Sequence, residues 1–135
     1  MTIVFIRISV YTYLRIFARP PTHKLNHTKI LSSSNILDMT IRFEWDAIKA
    51  RRNLAKHRVS FEVAVRIFAD PFQVSSQDRF ENEEHRWQTI GKVEGQLLLL
   101  VAHTVGEDKD GTEVIRLISA RKADSKERKR YDQSR

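Results

Sequence analysis

The run Leu97-Leu98-Leu99-Leu100-Val101-Ala102 constrains this chain more than any other feature. Six apolar residues without alternation, lying between the glycine-bearing stretches Gly91–Gly95 and Gly106–Gly111, read as a strand buried on both faces. A chain of 135 residues supplies one core to bury it in, with room for one extension. Around that run the period is also β-like. Thr112 to Ala120 is β-rich and follows the hairpin loop Gly106–Gly111, Glu83 to Ile90 alternates imperfectly, and Phe72 to Ser76 is a fourth strand candidate. Gly91 and Gly95 read as turn glycines, and Gln77 to Asn82 as a polar connection.

Helical signals flank this β region. Asp46 offers an N-cap for a helix through about His57, with Ile48, Leu54 and Ala55 as its apolar stripe and Lys49, Asn53 and Lys56 on a polar, cationic face. Ser60 is a second N-cap, and Val63, Ala64, Ile67 and Phe68 repeat at helical spacing before Pro71. Arg121 to Gln133 has no Gly or Pro and is rich in Lys, Arg and Glu, which predicts a final helix. The order α-α-β-β-β-β-α predicts an α+β fold with a four-stranded antiparallel sheet, two N-terminal helices and a C-terminal helix.

Residues 1–38 differ in kind. They carry five cations and one acid, whereas the remaining residues carry 19 cations and 16 acids. Arg7 and Arg15 interrupt the opening apolar stretch where a membrane span would need hydrocarbon, and no cation precedes it as in a secretory signal. Pro20-Pro21 and Ser32-Ser33-Ser34-Asn35 read as a break and a linker. Residues 1–38 are therefore expected to be an extension outside the fold, with translation starting at Met39 and the working domain spanning residues 39–135.

Composition narrows the chemistry. The absence of cysteine excludes a disulfide scaffold, a thiolate zinc site and a cysteine nucleophile, and suits a reducing cytoplasm. His23 and His27 have metal-ligand spacing but lack a nearby third ligand, and no HExxH, EF-hand, Walker, GxGxxG or GxSxG motif occurs, so neither metal nor cofactor is expected. The formal net charge of +7 favours a polyanionic partner. Its cations fall on predicted rigid elements: Lys49, Lys56 and His57 on the first helix, Arg86 and Arg116 in strands, and Arg121 and Lys122 where the final helix begins. Each has a structural alternative. His57 can cap a helix end, Arg86 can pair with neighbouring acids, and Arg116 can form a partly buried ion pair. If the polyanion is RNA, its 2′-hydroxyl is an internal nucleophile, and cleavage needs only a base, an acid and fixed positive charge around the phosphorane.

The residues Phe43-Glu44-Trp45-Asp46, Lys49, Asn53, Lys56-His57, Val59-Ser60-Phe61-Glu62, Ala64 and Phe68-x-Asp70-Pro71 resemble the opening of the BrnT family of type II toxins. The second half agrees: Glu84-x-Arg86-Trp87-x-x-Ile90-Gly91, Ile115-Arg116-x-Ile118-Ser119-Ala120-Arg121-Lys122-Ala123 and Glu127-Arg128-x-x-Tyr131. The resemblance implies a RelE-like fold, a cytoplasmic endoribonuclease that arrests translation and growth, and neutralisation by a BrnA-type antitoxin. It also implies a heterotetramer of two toxins and two antitoxins that binds operator DNA through the antitoxin, with no membrane contact. Arg58 stands where the family usually has glycine, and His103-Thr104 where an aromatic followed by threonine is usual. On this reading His57, Lys49, Arg86 and Arg116 are the expected catalytic residues. His57 or Lys49 assists proton transfer, Arg86 stabilises developing charge, and Arg116 and Arg121 hold the phosphate. Lys56, Arg121 and Lys122 are expected to bind RNA. The alternative is a non-catalytic basic protein that binds an antitoxin or operator DNA.

Overall fold

Strand β5 (Leu97–Glu107) carries the apolar run through the middle of the sheet. Leu99 and Val101 face one hydrophobic cluster, whereas Leu98 and Leu100 face another, so the run is buried on both sides. The structure, a computed structural model, describes residues 2–9 and 38–135. The other strands are β1 (Thr2–Ser9), β2 (Asp38–Trp45), β3 (Val74–Glu81), β4 (Glu84–Val93) and β6 (Glu113–Lys122). The helices are α1 (Ala47–His57), α2 (Phe61–Ala64), which runs on into a 3₁₀ turn over Val65–Ala69, and α3 (Ser125–Gln133). Among the described residues no helix is long and apolar enough to cross a membrane.

The α+β class agrees with expectation, but the sheet is not a four-stranded antiparallel one. Its strand order is β1-β2-β6-β5-β4-β3, and β2 runs parallel to β6, with Ile41 opposite Glu113 and Glu44 opposite Arg116. The other neighbours are antiparallel, so the sheet is mixed. Local pattern marks Ile41 to Trp45 as extended but leaves open a partner some 70 residues away and the direction of pairing. Thr2–Ser9, expected to stand outside the fold, pairs antiparallel along the outer edge of β2. The Pro20-Pro21 break, the His23/His27 pair and the Ser32–Asn35 linker lie outside the described residues.

Three further boundaries differ. The polar residues Gln77 to Glu81 belong to β3, because they form one arm of a hairpin closed by Asn82 and Glu83, both at positive φ. Gly91 is no turn residue: it lies within β4, where a methyl group would stand 2.9 Å from the Ile67 Cβ, so its lack of a side chain lets the 3₁₀ turn settle on the sheet. Arg121 and Lys122 are the last residues of β6, opposite Leu100 and Leu99, and α3 begins later, behind a capping box formed by Asp124 and Glu127.

The helices sit on opposite faces of the sheet. Phe61, Ala64, Val65, Ile67 and Phe68 cover the face that carries Ile41, Phe43, Trp45, Ile115 and Leu117. On the opposite face Tyr131 of α3 packs with Ile90, Leu98 and Leu100. Its hydroxyl donates to Asp70 Oδ2 at 2.7 Å, and burial together with that bond pushes the phenol up to about 12. The Lys92 backbone N–H donates to the same oxygen at 2.7 Å, so one half-turn carboxylate fastens α3 and β4 to the end of the 3₁₀ segment.

Helix α1 presents an unexpected face to the sheet. Ile48 and Leu54 are about half exposed, and the buried residue is Asn53. Its amide donates to Val59 O at 2.9 Å and Ala120 O at 2.8 Å, and its oxygen accepts from Ala120 N at 3.0 Å. The pairing of β2 with β6 stops at Arg116, and Asn53 satisfies edge groups of β6 beyond that point. Of the face read as polar and cationic, Asn53 turns into the sheet while Lys49 and Lys56 stay exposed. After α1 the chain turns at Arg58, which has φ 59°, the left-handed conformation that favours glycine. We expect Arg58→Gly to raise stability by about 0.5–1 kcal/mol, measured by urea unfolding.

His103 is buried on the helix-covered face, edge-on to the Phe68 ring. Its Nε2 lies 2.8 Å from Thr89 Oγ1, which in turn lies 2.6 Å from Ser75 Oγ. Burial lowers the imidazole to about 4 from its ordinary 6.5. Between those values the unfolded chain binds a proton that the folded chain refuses, so stability falls as pH drops from 6.5 toward 4. The loss should reach roughly 3 kcal/mol, and His103→Phe should flatten that part of a stability–pH curve.

Candidate active site

Register places the two central arginines. Arg86 of β4 pairs with Thr104 of β5, and Thr104 pairs with Arg116 of β6. Directly opposed residues project from the same side of a sheet, so Arg86, Thr104 and Arg116 form a row across three strands. Glu44 of β2 extends the row on one side and Arg79 of β3 on the other. This is the side that carries Leu98, Leu100 and Tyr131, but α3 covers only part of it.

The third candidate arrives from α1. Asp46 caps that helix, its Oδ1 accepting from Ile48 N at 2.8 Å and Lys49 N at 3.0 Å; the Lys49 bond leads in holding the carboxyl below its ordinary range. Because β2 passes directly into this cap beside β6, Lys49 stands at the edge of the arginine row. Lys49, Arg86 and Arg116 line a hollow of about 300 Å³, together with Asp46, Asn82 and Glu84. An adjoining hollow of about 220 Å³ shares Glu84 and Arg116 and extends past Thr104 to Arg42 and Asp108, which are paired with each other.

Within the hollow the two guanidinium groups differ. Arg116 Nη2 donates to both carboxylate oxygens of Glu84, at 2.5 and 2.6 Å. Arg86 has a buried Nε with no hydrogen-bond acceptor; the nearest charge is Glu81 Oε2 at 4.0 Å. A third hollow, of about 330 Å³, lies at the other end of the covered face beside Tyr131 and Phe72 and contains none of the expected site residues.

The remaining expectations separate from this group. His57 is half-buried at the far end of α1 and does not line the hollow. Lys56 and Lys122 are exposed, also outside it. Arg121 is engaged elsewhere: its Nη1 and Nη2 donate to Glu127 Oε2 and Oε1 at 2.9 and 2.8 Å, which raises the guanidinium and lowers the carboxyl. The bidentate pair ties the end of β6 to the first turn of α3, where Glu127 also accepts from the Asp124 backbone at 2.8 Å. The sequence reading missed Glu84. Its place immediately after a two-residue turn and two residues before Arg86 puts it on the same strand face as Arg86, a signal that period-2 alternation contains.

The model of the family described as the ribonuclease toxin BrnT of type II toxin-antitoxin systems matches residues 45–127. The chain belongs to the BrnT toxin family. That span includes Lys49, Arg86 and Arg116 together with Glu84, so the whole arginine row and the α1 cap lie within the BrnT match. Among solved structures the chain is similar to the ribonuclease toxin BrnT of Brucella abortus, with 23% identity and a TM-score of 0.41, over 62% of this chain and 96% of that one. No curated protein matches it. Among the described residues no group of three His, Asp or Glu side chains is arranged to hold a metal ion.

The Arg121–Glu127 pair is partly exposed and bidentate, so a double-mutant cycle over Arg121→Ala and Glu127→Gln should give a coupling of about 0.5–1 kcal/mol in urea unfolding.

Proposed function

We propose that this chain is an endoribonuclease toxin that cuts RNA by attack of the 2′-hydroxyl on the adjacent phosphate, without a metal ion. The observation that carries this is the convergence of Lys49, Arg86 and Arg116 in one hollow. Arg116 lies at the centre of the row and takes the scissile phosphate, exchanging Glu84 for a phosphate oxygen. Arg86 meets the charge that builds on the phosphorane. Lys49, an exposed ammonium lining the hollow, serves the leaving oxygen. His57 takes no part in this proton transfer, because it stands outside the hollow. RNA rather than DNA is the substrate, since only RNA brings its own nucleophile.

Membership of a type II toxin family extends the proposal to a partner and a cellular effect. An antitoxin of the BrnA type neutralises the protein in an assembly of two toxins and two antitoxins, and operator DNA is bound through the antitoxin. Free toxin acts in the cytoplasm, where RNA cleavage stops translation and growth.

Purified protein in EDTA should cut RNA to fragments ending in a 2′,3′-cyclic phosphate and beginning with a free 5′-hydroxyl. Arg116→Ala should lower kcat/KM by ~10²–10³ while remaining folded by circular dichroism. A strict need for a divalent ion overturns the mechanism, and growth arrest undiminished in both Arg86→Ala and Arg116→Ala favours a protein that acts by binding alone.

A further inference from the structure

Cleavage by the 2′-hydroxyl needs a proton acceptor beside the phosphate, and the hollow narrows the choice of side chain. Two carboxylates line it. Asp46 is occupied as the cap of α1, accepting two backbone N–H groups. The other is Glu84. In the adjoining hollow Asp108 is held by Arg42 and accepts from the Asp110 backbone, Glu44 lies 3.8 Å from Arg42, and Glu107 lines that hollow but not the one with Lys49 and Arg86. Among the described residues lining these hollows, Glu84 is the carboxylate shared by both, and it touches the guanidinium assigned to the phosphate.

We propose that Glu84 is the general base of the reaction, an inference that rests on the ribonuclease reading above. Its backbone is fixed by the tight hairpin, since Asn82 and Glu83 both hold positive φ and Glu84 opens β4 opposite Glu81. The 2′-oxygen of RNA lies three bonds from the 3′-oxygen of the scissile phosphate. A carboxylate within contact distance of the phosphate-binding Arg116 therefore reaches the 2′-hydroxyl when the phosphate displaces it from the guanidinium. In the step, the 2′-O–H proton passes to a Glu84 oxygen as the 2′-oxygen bonds to phosphorus. The bond from phosphorus to the 5′-oxygen breaks, and that oxygen takes a proton from the Lys49 ammonium. Glu84 then releases its proton to water and Lys49 regains one, which restores the protein. In the absence of substrate the same carboxylate occupies Arg116, so Glu84 both competes with phosphate and acts on the nucleophile once displaced.

Steady-state cleavage of a short RNA by Glu84→Gln tests this against a merely positioning role. The expected result is kcat lower by ~10²–10³, KM unchanged or lower because the amide competes less for Arg116, and loss of the acid-side fall in kcat expected of the wild type. Glu84→Asp should keep that acid-side fall with kcat reduced about tenfold, which covers the case in which the glutamine variant does not fold. A wild-type protein that cuts no RNA overturns the ribonuclease reading and this inference together. A wild type that cuts, beside a folded Glu84→Gln with kcat within about threefold, or with raised KM and an unaltered pH profile of kcat, overturns the assignment of Glu84 alone.

Discussion

Parallel pairing of β2 with β6 over Ile41 to Glu44 is the constraint on which the rest of the molecule depends. It sets Phe43 and Ile115 side by side in the core, and it ends at Arg116, where β2 leaves the sheet and turns into the Asp46 cap. Two consequences follow from where it ends. The edge of β6 beyond Arg116 is free to take the side-chain amide of Asn53, which holds α1 along that edge. And Lys49, one turn before Asn53 on the same helix face, is brought to the arginine row. An antiparallel β2 would leave the sheet at the opposite end and carry α1 away from Arg116.

The second constraint is register. Arg86, Thr104 and Arg116 share a face because the β4–β5 and β5–β6 hairpins align them, and a shift of one residue in either would turn one guanidinium into the core. That alignment also creates an electrostatic problem, two guanidinium groups close together on a half-covered sheet face. Glu84 resolves half of it by pairing with Arg116, and leaves the buried Nε of Arg86 without an acceptor. On the proposed reading the site is neutral at rest, and phosphate exchanges for the Glu84 carboxylate on Arg116.

Much of this was legible in the residues. The unalternating apolar run marks β5 as central, Asp46 and Ser60 mark the helix starts through their ability to accept backbone N–H groups, and the family motifs name Lys49, Arg86 and Arg116. Asn53 shows where local reading fails. By periodicity it belongs to a polar face and therefore to solvent, yet it is buried because it bonds backbone groups on a strand 67 residues away. Arg121 fails in the same manner. Counted as a cation it looks available to phosphate, but its partner Glu127 is supplied by the first turn of the next helix, whose start the charge-rich sequence does not mark sharply.

The sequence by itself determined the α+β class, the helix caps, the buried strand and the identity of the positive groups, because these follow from side-chain size, polarity and spacing within a few residues. Only the tertiary structure decided that the sheet is mixed, that Arg86 and Arg116 converge while His57, Lys56 and Lys122 stand apart, and that Glu84 lies among them. Those outcomes depend on strand direction and register, which are set by contacts between segments tens of residues apart. No local pattern encodes which of several chemically similar cations such contacts will bring together.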